Sequence, residues 1–235
     1  MRGASRCGVA RGTGSAALGA LLVALAWLGC GCSSREAIHP GLRVDQQEFD
    51  RAVERGRSLV ASGADPYQAY GGCTQSVNQR LSGNVILREV SCGWPAQEIA
   101  FAIAKQGKSD DTAVQMTARE ARRRAEKEIK FSAILQLPKD YDVSRLSFSM
   151  RSSLGQIYPP IAVEQPIYLR DVSSALDPSM PPSALYAFEV RFPIQGSPGY
   201  PAIGPEVTSL QLVVQEGESA ITSPPFLMPT MYRRR

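Results

Sequence analysis

KFSAILQLPKD, residues 130–140, decides the fold. Phe131, Ala133, Leu135 and Leu137 alternate with Ser132 and Gln136, which is the period-two pattern of a strand with one buried face. Immediately upstream the period is helical. Val114, Ala118, Ala121, Ala125 and Ile129 recur every three or four residues, and charged side chains fill the positions between. The change of period at Lys130 predicts a helical region over 45–129 and a strand-rich region over 130–232.

Downstream the alternation repeats. Leu146, Phe148 and Met150 alternate with Arg145, Ser147, Ser149 and Arg151. Tyr186, Phe188, Val190 and Phe192 alternate with Ala187, Glu189 and Arg191. Leu210, Leu212 and Val214 alternate with Ser209 and Gln211. Weaker runs lie at Ile157–Val163, Ile167–Leu169 and Ser219–Thr222. Turn signals separate them: Pro138-Lys139-Asp140, Ser153-Leu154-Gly155, Asp177-Pro178, Pro181-Pro182, Ser197-Pro198-Gly199 and Glu216-Gly217. About seven short strands in roughly 100 residues predict an antiparallel sandwich of immunoglobulin-like size. The cysteine pair and core Trp of antibody domains are lacking, so the expectation concerns architecture alone. The fold class expected is α+β, with no internal repeat.

Upstream of Lys130, Asp45 is placed to cap a helix over Gln46–Ser62, with Glu48 completing a capping box and Gly63 stopping it. Phe49, Ala52, Val53, Gly56, Leu59 and Val60 supply its apolar face. Asp65-Pro66 starts a short helical turn through Tyr70. Val85–Val90 is a strand. Pro95–Lys105 is a short buried helix, and Ser109 or Asp110 caps the next one, up to about Ile129.

The first 34 residues have a different character. Arg2, Arg6 and Arg11 precede an apolar run of about 14 residues, Ser15–Leu28, too short for a comfortable transmembrane helix and the length of a secretion-signal core. Leu28-Gly29-Cys30-Gly31-Cys32-Ser33-Ser34 follows. This segment resembles the lipobox of bacterial lipoproteins. The resemblance implies diacylglycerol on a cysteine and cleavage just before it: residues 1–31 as signal peptide, 32–44 as a polar tether, and acyl chains that hold the protein to a membrane. Cys32 is favoured over Cys30, because acylation there leaves only Cys73 and Cys92 as thiols. In an exported protein those two are expected to form a disulfide, closing a loop of about 20 residues worth roughly 3 kcal/mol. Neither Gly31 nor Ser33 is Asp, which by the same resemblance favours the outer membrane.

Charge narrows the partners. The formal +4 includes three Arg before residue 32 and three in the tail Arg233–Arg235, so the body between them carries −2. Such a body is unsuited to nucleic acid, which demands a positive surface. His39 is the single histidine. It falls in the expected tether as a solvated linker residue, leaving the folded body without Ser-His-Asp or Cys-His catalysis and without most zinc sites.

Three patterns look chemical and have plainer readings. Ala102–Ser109 matches a loose phosphate-loop pattern, yet its lead-in is helical, so Gly107 is expected to end one helix before the next. Asp140-Tyr141-Asp142 has Arg145 and Arg151 where a calcium loop needs Gly and Glu, which leaves a hairpin turn. Arg122-Arg123-Arg124 is neutralised along its helix by Glu120, Glu126 and Glu128 at i,i+4. No catalytic residue, metal ligand or cofactor is expected. The function expected is a non-enzymatic binding, scaffolding or assembly role toward an envelope protein or polymer. The alternatives are a His-independent hydrolase marked by a pocket with two carboxylates, and a small-ligand carrier marked by an apolar cavity.

Overall fold

The computed structural model describes residues 38–107, 110–172, 181–196 and 201–229. Cys30, Cys32, Lys108-Ser109 and the tail Arg233–Arg235 lie outside the described residues. The described residues build a mixed α+β body of three α-helices and two antiparallel sheets.

Helix α1 is Gln46–Ser62, capped by the Asp45 carboxylate, which accepts from Glu48 N–H at 2.7 Å, and ended by Gly63 in the left-handed region at φ 63°. Helix α2 is Pro95–Gln106 and α3 is Asp111–Ala125. Gly107, at φ 65°, stops α2, and Asp110 caps α3 by accepting from Ala113 N–H at 2.8 Å. The loose phosphate-loop pattern is therefore a helix and its stop. Asp142 caps a single 3₁₀ turn, Val143–Arg145, which carries the chain from one sheet to the other rather than closing the hairpin expected there. Helix α3 ends four residues before Ile129, because Glu128 already pairs in the sheet.

The strands are β1 (Thr74–Ser82), β2 (Val85–Gly93), β3 (Glu128–Pro138), β4 (Leu146–Ser152), β5 (Ile157–Tyr158), β6 (Ala162–Val163), β7 (Ile167–Val172), β8 (Ser183–Pro193), β9 (Ser209–Glu216), β10 (Ser219–Thr222) and β11 (Phe226–Leu227). One sheet has the order β1-β2-β3-β8, with β6 and β7 both on the far side of β8; the other runs β10-β9-β4-β5, with β11 also on β9. Their inward residues form one shared apolar core. Phe148 on β4 meets Phe188 on β8 with ring centres 5.5 Å apart, and Phe131 on β3 meets Phe226 on β11 at 5.6 Å. A second cluster joins the helices through Phe49, Val53, Ile99, Ile103 and Val114. Gly56 lets α1 and α2 touch: a Cβ there would lie 2.7 Å from the Ile103 Cβ.

Three expectations need correction. The Cys73–Cys92 disulfide is absent; both residues are free thiols. They are neighbours at the open end of the β1–β2 hairpin, where Cys92 N–H donates to the Cys73 carbonyl at 2.9 Å. The Cys73 sulfur instead takes the Gln97 side-chain N–H, at 2.9 Å, and Cys92 is sealed in the core. Second, residues 39–44, expected to be part of the tether, belong to the body. Leu42 and Val44 are buried, and His39 N–H donates to the Ile203 carbonyl at 2.8 Å. These apolar side chains have no period to betray them, but they fill the core. His39 is thus no solvated linker: its Nδ1 accepts from Gly41 N–H at 3.0 Å, and burial lowers its pKa. Third, the boundary at 129/130 does not separate two bodies, since β2 and β3 pair over seven residues across it.

Candidate functional site

Alternation along two neighbouring strands builds a charged cleft. On β3, Ile129 and Phe131 point into the core, so Glu128 and Lys130 point out. On β8, Val190 and Phe192 point in, so Glu189 and Arg191 point out. The register sets Lys130 directly opposite Arg191. Above them lie α2, contributing Glu98, Phe101 and Lys105, and α3, contributing Thr117, Glu120 and Arg124. Glu164 closes the rim, and the cleft has a volume of about 470 Å³.

Lys130 occupies its floor. The ammonium lies 3.0 Å from the Glu98 carboxylate and 3.9 Å from that of Glu189. It also sits 4.6 Å from the centre of the Phe101 ring and 5.3 Å from that of Tyr70, close enough for both π faces to attract it. Tyr70 donates its hydroxyl to Glu98 at 2.7 Å. Burial, followed by the Glu98 charge, pushes the Tyr70 phenol well above its ordinary pKa. Gly93 makes room for this arrangement, because a Cβ there would stand 2.0 Å from Glu98 Oε1.

Arg191 repeats the motif on the sheet side. It pairs with Glu128 at 3.7 Å and with Glu164. Arg124 pairs with Glu120 at 3.3 Å, while Lys105 lies 5.7 Å from the Phe101 ring centre. The cleft can therefore offer both signs of charge to a polar ligand, from side chains held by one another. Its charged lining is unlike the apolar cavity expected of a carrier. The carboxylates expected of a hydrolase do converge here, each beside a cation.

Arg122 and Arg124 take Glu126 and Glu120 at i,i+4, but Glu128 has left the helix for Arg191. Arg122 is structural as well: it donates to the Val44 carbonyl and stacks 5.4 Å from the Phe49 ring centre. A second polar cluster surrounds Glu216, which is buried at the end of β9. It takes Arg145 at 2.7 Å and the Ser82 hydroxyl, tying β1 to the other sheet.

Sequence reasoning missed the cleft. Its only trace was the charged residues on the wet faces of two strands. Among the described residues no three His, Cys, Asp or Glu side chains are grouped to hold a metal ion, and no helix is long and apolar enough to cross a membrane. No family model matches the chain, and neither a curated protein nor a solved structure matches it.

Proposed function

We propose that this chain is a lipid-anchored protein of the cell envelope with a non-enzymatic binding or scaffolding role. Its partner would be an envelope protein or polymer. The observation that carries this lies in the sequence: the lipobox-like Gly31-Cys32 stands only seven residues before His39, whose N–H is bonded into the folded body. Acyl chains on that cysteine would hold the body permanently beside a membrane, at about 0.8 kcal/mol per buried CH₂. Anchored there, the body offers a paired-charge cleft, open strand edges and proline-rich loops at Pro159-Pro160 and Pro224-Pro225 as contact surfaces.

An immunoglobulin-like sandwich is part of the same proposal. The strand order supports it: β2-β3-β8-β7 opposite β10-β9-β4 follows the A-B-E-D and G-F-C order of that architecture. Helices α2 and α3 would then be an insertion between the first two strands of the sandwich, with α1 before them. Binding modules of this class work through loops and edges, which suits the role proposed.

Growing cells with a fatty-acid analogue tests the anchor. The wild-type chain should carry the label and Cys32→Ala should lose it. Loss in Cys30→Ala alone would move the anchor to Cys30, and no label in any form would end the proposal. Crosslinking in intact cells then identifies the partner. The cleft favours one second reading, a hydrolase in which Glu98 and Glu189 act on an envelope polymer. That reading requires the purified protein to release soluble fragments from isolated cell-wall polymer, with release lost in Glu98→Gln.

A further inference from the structure

One end of the body gathers exposed apolar side chains. Eleven large apolar residues are exposed among those described, and five of them are Leu154, Ile157, Ile161, Val163 and Leu227, each 45–73% exposed. The hydrogen bonds place these five at one end. Ile161 N–H donates to the Arg191 carbonyl at 2.9 Å, near the close of β8. Ile157 pairs with Arg151 near the close of β4, and Leu227 pairs with Ser209 at the opening of β9. Leu154 adjoins Ser153, whose N–H donates to the Ser209 carbonyl at 2.9 Å.

The chain enters the body at this same end. His39 is bonded to Ile203, and Ile203 N–H donates at 3.1 Å to Ile194, just past β8. Gly41 packs against the Pro229 carbonyl, two residues beyond Leu227. From Cys32 to Ile38 is six residues, which span at most about 22 Å when fully extended. An acyl chain on Cys32 therefore tethers the body to the bilayer through this end.

We propose that the end carrying Leu154, Ile157, Ile161, Val163 and Leu227 rests on a phospholipid bilayer, as a second, protein-borne membrane contact. The proposal depends on the lipid-anchor reading above. The anchor supplies attachment; the apolar side chains, entering the headgroup and acyl boundary by about 5–10 Å, fix orientation. The sheets then stand away from the membrane, with the β10 turn and the Val143–Arg145 turn outermost. The opposite end is about 20 Å away along β4, taking the six steps from Leu146 to Ser152 at about 3.4 Å each.

The test uses the full-length acylated protein in phosphatidylethanolamine–phosphatidylglycerol vesicles doped with phosphatidylcholine brominated on its acyl chains. A tryptophan is introduced singly as Ile157→Trp or Val163→Trp, with Val143→Trp marking the far end. All three positions are exposed, and an unchanged urea midpoint verifies the fold. Bromine should quench the emission added at 157 and 163, which would lie at the acyl boundary, and leave 143 unaffected. An acylated protein whose 157 and 163 probes match 143 overturns the proposal. So does a form sedimenting at twice the protomer mass with those probes shielded but unquenched, which would assign the patch to a second copy. Absence of the acyl label instead fails the anchor reading itself, and the reach constraint goes with it.

Discussion

Lys130 shows how one side chain can join two layers. Its ammonium is held between Glu98 on α2 and Glu189 on β8, with two aromatic faces against it, and its side chain is only 13% exposed. Removing it leaves two carboxylates half-buried without a counter-charge, and stranded charge of this kind is costly. Lys130→Ala should lower unfolding free energy by about 2–4 kcal/mol, measured by urea denaturation. Adding Glu98→Gln should cost less than the sum of the single changes, because the two share one interaction. Tyr70 adds a pH dependence. Its phenol has an ordinary pKa near 10 and is pushed higher in the folded state, first by burial and then by Glu98. The folded form therefore retains a proton that the unfolded form releases above about pH 10. The stabilisation is complete below that pH and is lost as pH rises toward the folded-state value. A urea midpoint followed from pH 8 to 12 should fall above about pH 10, and Tyr70→Phe should flatten part of that fall.

At the scale of the element, legibility followed the strength of local signals. Helix α1 was readable to the residue because Asp45, the apolar stripe and Gly63 each act through neighbours in the chain. The longer strands were readable because each buries one face. Strand β1 was not: Thr74–Ser82 is an edge strand with only Leu81 fully buried, so both of its faces read as polar. The end of α3 was misplaced because Ile129 continues the helical spacing while its partner Phe192, far away in sequence, draws it into the sheet. The cleft was illegible for the same reason. Glu98, Lys130 and Glu189 are neighbours only through long-range pairing, and nothing local links them. Gly56 shows tertiary contact overriding local preference. In a helix, Gly→Ala ordinarily stabilises by about 1 kcal/mol, but here the new methyl would overlap Ile103 on α2. Gly56→Ala should therefore destabilise, by about 1–3 kcal/mol, and a raised thermal midpoint in that variant would show that the two helices can part at little cost.

For the whole molecule, the decisive feature is that sheet pairing crosses the point where the sequence changes period. The described residues form one compact unit. The β2–β3 ladder binds the hairpin that precedes α2 to the strand that follows α3, so the two helices leave one sheet and return to it. Opening the helical layer would expose Ile99, Ile103 and Val114 together with Lys130 and its carboxylates. Opening the sheets would expose the shared core, in which Leu42, from the stretch expected to be a tether, is also buried. The two apolar clusters are joined by the β2–β3 ladder and by Lys130 with its carboxylates, so unfolding should be a single transition. Trp94, buried at the junction of β2 and α2, reports on that seam. Its fluorescence and the far-ultraviolet circular dichroism should change at the same urea concentration. Leu42→Ala should move both together, by about 2–4 kcal/mol, even though residue 42 precedes every α-helix and strand of the body. Two separated transitions, with the Trp94 signal lost in the first, would mean that the helices fold as a domain of their own and that the period change at Lys130 marks a true boundary.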